Sequence, residues 1–148
     1  MPDIYFEDLA AGQEYDLGSR TLDSDAIVDF ATEFDPQPFH VDEDAAEQSI
    51  YGGLIASGWQ TCCVYMRLLC DSFLLQVHSM GSPGVDELRW LGPVRPGDTL
   101  SAKLRIDEVR ASKSKPDRGI VMTAGEVRNQ DGVLVLTLKS PLMVRRRQ

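Results

Sequence analysis

Residues that commonly bind metal ions or form disulfides are scarce in this sequence. It contains two histidines and three cysteines, and Cys62, Cys63 and Cys70 lie in one apolar stretch without a metal-binding spacing. Such cysteines are typical of buried free thiols in a reducing compartment. We therefore expect no metal centre and no cofactor, and we predict a cytoplasmic protein.

Basic residues are nearly absent from the first sixty positions. Residues 1–60 carry fourteen acidic residues and one basic residue, Arg20, whereas residues 61–148 carry nine acidic and fourteen basic residues. The net charge of −8 argues against nucleic acid as a partner. The basic second half is compatible with a local site for a phosphate-bearing ligand or with ordinary solvated strand faces. The acidic N-terminus also lacks the basic and apolar regions of a signal or transit peptide.

The sequence has one long apolar run, and it lacks the charges that usually anchor a membrane span. Between Leu54 and Val77 the only charged residues are Arg67 and Asp71, and no basic cluster flanks the run. Its length is compatible with a membrane span, but the two internal charges and the missing anchors favour a buried helix. We predict a central core helix over residues 54–75 and no membrane association.

The residues before this run predict a strand and two helices. Within residues 4–22, apolar residues alternate with polar ones and glycines mark turns, which indicates an N-terminal strand. Hydrophobic residues from Ile27 to Phe34 recur at helical spacing, and this helix must end near Phe34 because two prolines follow. Asp42 is a candidate N-cap for a short acidic helix over residues 43–47.

After the apolar run the hydrophobic period changes from that of a helix to that of a strand. Strands are predicted over residues 85–91, 100–106, 120–128 and 133–144, followed by a frayed basic end at 145–147. A long helix followed by antiparallel strands predicts an α+β fold, formed by one domain over residues 1–148. A sheet of this kind leaves exposed edges, so we expect a homodimer or a higher homo-oligomer.

Between the first two helices, an acid and an imidazole are separated by a proline-rich spacer. Asp35 and His40 are five residues apart, so they are at most roughly 16 Å apart when the segment is extended. The two prolines disfavour helix at the residues before them and predict a stiff loop. The pair can share a site only when this loop curls. The alternative is an aspartate that caps a turn above a packed histidine.

Three segments, taken in order, match a family pattern. They are Asp35-Pro36-Gln37-Pro38-Phe39-His40, Gly52-Gly53-Leu54-Ile55-Ala56-Ser57-Gly58-Trp59 and Val94-Arg95-Pro96-Gly97-Asp98-Thr99-Leu100. Together they resemble the MaoC-like dehydratase family, which includes the (R)-specific enoyl-CoA hydratases, and the resemblance covers nearly the whole chain. It implies a hot-dog fold, in which an antiparallel sheet wraps a long central helix. It also implies a hydro-lyase that acts on enoyl-CoA and 3-hydroxyacyl-CoA thioesters.

The resemblance carries four site residues onto this sequence. It implies that Asp35 and His40 act together on one water molecule, and that the backbone N–H of Gly53 stabilises negative charge on the thioester oxygen. It further implies that Thr61, on the central helix, supports the aspartate. The sequence departs from the family pattern at Phe34, Gln37 and Gln60, where glycine, asparagine and histidine are usual, so the shape of the substrate pocket does not carry over.

Two other functions stay open at this point. A hot-dog thioesterase would need a carboxylate near the start of the central helix, and residues 51–70 contain no acid. A non-catalytic acyl-CoA-binding module would keep the fold without turnover. The missing acid counts against the thioesterase, and the Asp35 and His40 pair argues against the binding module.

Overall fold

A five-stranded antiparallel sheet wrapped around one long helix organises this protein. The computed structural model describes all 148 residues. The helices are α1 (Ser24–Phe34), α2 (Pro38–Val41), α3 (Glu43–Glu47) and α4 (Gly58–Ser72), and the strands are β1 (Glu14–Thr21), β2 (Glu87–Trp90), β3 (Thr99–Ala111), β4 (Arg118–Arg128) and β5 (Leu134–Arg145). This arrangement confirms the predicted α+β class and the hot-dog fold.

The sheet has the strand order β1-β3-β4-β5-β2, with every neighbouring pair antiparallel. In β3 the predicted alternation holds, because Leu100, Ala102, Leu104 and Ile106 are buried while the residues between them are exposed. The buried side chains meet the central helix and form one hydrophobic core. The short strand β2 and the strand β1 form the two edges.

The central helix α4 is shorter than predicted. Residues 54–57 are extended because tertiary partners take their backbone groups: Ile55 N–H donates to Phe39 O and Ala56 N–H donates to Val94 O. The helix begins after Ser57, whose hydroxyl caps it by accepting from Trp59 N–H. None of the helices has the length and apolar character needed to cross a membrane.

The proline-rich segment is partly helical, which corrects the prediction of a loop. Asp35 and Gln37 are non-helical, as expected for residues that precede proline. The next residues, however, form the single turn α2, with Pro38 at its first position. Proline is well suited to that position because its φ is already helical and its missing N–H needs no partner there. His40 therefore lies on a helical turn.

The basic C-terminus is bound to the N-terminal segment, so the prediction of a frayed end is wrong. The guanidinium of Arg147 donates to both carboxylate oxygens of Asp8 at 2.8 and 2.7 Å and lies over the ring of Tyr5. Arg146 donates to Glu7 at 3.3 Å. We call these five residues the terminal clasp. Strand β1 begins only at Glu14, because residues 6–8 of the N-terminal segment form a 3₁₀ turn and not a strand.

Candidate active site

The structure brings Asp35 and His40 together. Helix α1 ends at Phe34, and the N–H of the next residue, Asp35, donates to Ala31 O. The chain then turns through Gln37, and α2 returns the imidazole of His40 toward the carboxylate. His40 Nε2 lies 3.3 Å from Asp35 Oδ2. The segment that joins them therefore curls, as a shared site requires.

His40 is almost completely buried and its orientation is fixed by the backbone. Its Nδ1 lies 2.7 Å from the carbonyl oxygen of Ile55. A carbonyl can only accept, so Nδ1 carries a proton and Nε2 is the nitrogen that faces Asp35. The imidazole can thus exchange a proton at Nε2 without losing its anchor.

Each oxygen of the Asp35 carboxylate accepts a hydrogen bond. Gln37 Nε2 donates to Oδ1 at 2.7 Å, and Ser57 Oγ donates to Oδ2 at 2.7 Å. Burial acts to raise the pKa of Asp35, but the hydrogen bonds from Gln37 and Ser57, with the charge of His40, outweigh it and hold the pKa below its usual value. The carboxylate is therefore ionised at neutral pH.

The pair forms part of the wall of a cleft of about 500 Å³. The other lining residues are largely apolar and include four large aromatic side chains; they are Gln37, Phe39, Tyr51, Ile55, Ala56, Gly58, Trp59, Thr61, Trp90, Leu91, Gly92, Pro93 and Val94. An apolar cleft with a few convergent polar groups is the usual form of a small-molecule site. No group of three or more histidine, cysteine or acidic residues is placed to hold a metal ion.

Gly53 does not occupy the position expected for an oxyanion donor. That expectation required the central helix to begin next to it, whereas α4 begins five residues later and Gly53 is not among the cleft-lining residues. Gly58 is the first residue of α4 and lines the cleft, and its N–H donates to no group of the chain. A helix N-terminus has free N–H groups and a positive dipole end. Gly58 therefore replaces Gly53 as the candidate donor.

Ser57, and not Thr61, supports the carboxylate in this structure. Thr61 is buried one helical turn further along α4 and lines the cleft, but it makes no hydrogen bond to Asp35. Sequence reasoning missed both Ser57 and Gly58. Serine is a preferred N-cap, so these two neighbouring residues would have marked the start of the helix and the wall of the site.

Trp90 is a third residue that sequence reasoning did not assign to the site. It ends strand β2, and its ring lies edge-on to Trp59 with centroids 5.1 Å apart. A Cβ atom at Gly58 would overlap the Trp90 indole, including Cδ1 at 2.8 Å. Only glycine therefore fits at the start of α4 against this ring.

Comparisons with known proteins identify the family of this chain. Residues 7–127 match the model of the MaoC-like domain family. A solved MaoC-like dehydratase from Rhodospirillum rubrum is 42% identical, with 99% of each chain covered and a TM-score of 0.91. The (R)-specific enoyl-CoA hydratase of Rhodospirillum rubrum is 30% identical, with 69% of each chain covered. An uncharacterized protein of Bacillus subtilis, YdeM, is 26% identical, over 95% of this chain and 98% of its own length. This chain therefore belongs to the family of MaoC-like domains.

Proposed function

We propose that this protein is a hydro-lyase that reversibly hydrates an enoyl-CoA thioester to a 3-hydroxyacyl-CoA thioester. The observation that carries the proposal is the Asp35–His40 pair, with Oδ2 and Nε2 3.3 Å apart in the wall of an apolar cleft. The family and the similarity to an (R)-specific enoyl-CoA hydratase support the same class of reaction.

The pair supplies the proton transfers that hydration requires. The water oxygen forms a bond to C3 of the enoyl group while one member of the pair removes a proton from that water. A proton from the pair is delivered to C2, so the double bond is lost and one water is added. Asp35 is ionised and His40 is anchored through Nδ1, so Oδ2 and Nε2 are the two atoms that can share this water.

Negative charge grows on the thioester oxygen during this addition, and Gly58 is the donor we propose for it. Its N–H is the first of helix α4 and is free of partners within the chain. Donors fixed toward a developing oxyanion contribute much of the rate acceleration in many enzymes. The aromatic cleft would hold the acyl group, and the basic second half of the chain would face the phosphates of CoA.

The first test measures loss of the conjugated enoyl-thioester absorbance with a short, a medium and a branched enoyl-CoA. Asp35→Asn and His40→Ala should each lower kcat by about 10²- to 10⁴-fold, the usual contribution of acid–base groups. Asp29→Asn removes an exposed carboxylate elsewhere on α1 and serves as the matched control. It should leave activity at the wild-type level.

Three outcomes would overturn the proposal. Full activity in Asp35→Asn would remove the pair from the mechanism. Release of the free CoA thiol without hydration of the double bond would indicate a thioesterase. Tight binding of CoA thioesters without turnover would indicate a binding module.

We also propose that the protein is a homodimer. The sheet has two open edges, and the chain exposes large apolar side chains that a partner would cover; these are Phe34, Ile50, Met66, Leu75, Val85 and Leu91. A C2 dimer is the commonest way in which soluble chains cover such a surface. Light scattering coupled to gel filtration should give twice the mass of one chain, and a monomer at micromolar concentration would contradict the proposal.

A further inference from the structure

We infer that the indole N–H of Trp90 is a second hydrogen-bond donor to the thioester oxygen, beside the N–H of Gly58. The inference rests on the proposed hydration of an acyl thioester in this cleft. It assigns a chemical role to a side chain that otherwise has only a packing role.

The ring of Trp90 lies directly against the start of the central helix. The overlap that a Cβ atom at Gly58 would make involves Nε1, Cε2 and Cδ1 of the indole at similar distances, so the face of the ring beside its nitrogen covers Gly58. With backbone bonds of about 1.5 Å, the indole nitrogen lies within about 5 Å of the Gly58 amide nitrogen. Both residues line the cleft that contains Asp35 and His40.

The indole N–H has only a weak partner within the chain. It donates to the thiol of Cys62, and a thiol sulfur is a weaker acceptor than a carbonyl oxygen. The side chain is 46% exposed, so an acceptor that enters the cleft can reach it.

Two N–H donors at this separation can meet on one carbonyl oxygen. Each N–H···O bond spans about 2.9 Å, and a carbonyl oxygen has two lone pairs. When water adds to C3, the enolate oxygen becomes a stronger acceptor than the ground-state carbonyl. Bonds from Gly58 and Trp90 therefore strengthen in the transition state, and this difference accelerates the reaction.

Trp90→Phe separates this role from packing, because it keeps an aromatic ring on Gly58 and removes only the N–H and part of the ring. We expect kcat to fall on the order of 10²-fold, the loss seen when one oxyanion donor is removed, with KM changed by less. Thermal unfolding should be close to wild type, since the only partner the N–H loses within the chain is the weakly accepting thiol of Cys62. Trp59→Phe makes the same change at the neighbouring ring and should have a smaller effect on kcat.

A second measurement does not depend on turnover. Saturated butyryl-CoA labelled with ¹³C at the carbonyl cannot be hydrated, and its infrared carbonyl band should shift to lower frequency when it binds the wild type. Trp90→Phe should reduce this shift, whereas Trp59→Phe should retain it. This readout tests the donor even when no enoyl-CoA is hydrated, so failure of the inference and failure of the proposed function are distinguishable.

Two results would overturn the inference. One is a wild-type kcat and a wild-type carbonyl band in Trp90→Phe. The other is an equal loss in Trp59→Phe, which would show that any large ring in the cleft has the same effect.

Discussion

Ser57 has two roles at one position. Its hydroxyl oxygen accepts from the N–H of Trp59 and so caps helix α4, while its hydroxyl hydrogen is donated to Asp35. The start of the helix and the orientation of the carboxylate are therefore set by the same atom. Capping is a local property that serine often has, but the second role depends on a contact across 22 positions that no local pattern reports.

Ser57→Ala should affect both stability and activity. Loss of the cap should lower the free energy of unfolding by about 1 kcal/mol, and loss of the donor should raise the pKa of Asp35 and lower kcat. Denaturant unfolding and a pH–rate profile check the two effects separately.

The matched control is Asp23→Ala, which removes the cap of α1, where Asp23 accepts from Ala26 N–H. It should lower stability by a similar amount and leave kcat at the wild-type level. A kcat loss in Ser57→Ala no larger than that in Asp23→Ala would contradict the second role of Ser57.

At the scale of the elements, helix α4 and strand β4 fit together because β4 lacks a side chain where the helix presents a tyrosine. A Cβ atom at Gly125 would overlap the Tyr65 side chain, which is almost completely buried. Burial also raises the pKa of this phenol above its usual range. The glycine thus lets the helix lie close to the sheet.

Gly125→Ala should lower the free energy of unfolding by about 1–3 kcal/mol, because overpacking must displace Tyr65 or the helix. Gly84→Ala is the control, since a Cβ there meets nothing within 4 Å and needs no unusual φ. It should change stability by less than about 0.5 kcal/mol. Chemical denaturation of the two variants checks the difference, and equal values would show that the helix has room to move.

The elements were predictable to different degrees, for physical reasons. Period-two alternation placed β3 correctly because its alternate residues are buried on one face. The start of α4 was misplaced because Ile55 and Ala56 have apolar side chains that suit a helix, while their N–H groups bond to Phe39 and Val94. Those partners are distant in sequence, so a local pattern contains no sign of them. The expected donor Gly53 lies away from the start of α4 for the same reason.

At the scale of the whole molecule, the terminal clasp joins the two ends of the chain. It connects residues separated by about the full length of the sequence, such as Arg147 and Asp8. The sequence shows the charges that form the clasp, as an acidic first half and a basic end. It does not show that these charges pair, because a string of three arginines is equally typical of a solvated tail.

Arg147→Ala should lower the melting temperature by a few degrees at most, since exposed ion pairs contribute little. The effect should shrink in 1 M salt, because ionic screening weakens the attraction to Asp8. Arg110→Ala removes an exposed arginine that has no ion pair and should show neither effect. Thermal scans at two salt concentrations check this, and a salt-independent loss would assign the stabilisation to stacking on Tyr5.

The anchor of His40 has a consequence for how this chain can change through evolution. Its partner is the main-chain oxygen of Ile55, and every amino acid supplies such an oxygen. Selection on the imidazole therefore leaves no trace in the identity of residue 55, which is free to drift among side chains that fit the core. Asp35 is the opposite case, because its donors are the side chains of Gln37 and Ser57. Selection on the pair should therefore constrain residue identity at the partners of Asp35, but not at the partner of His40.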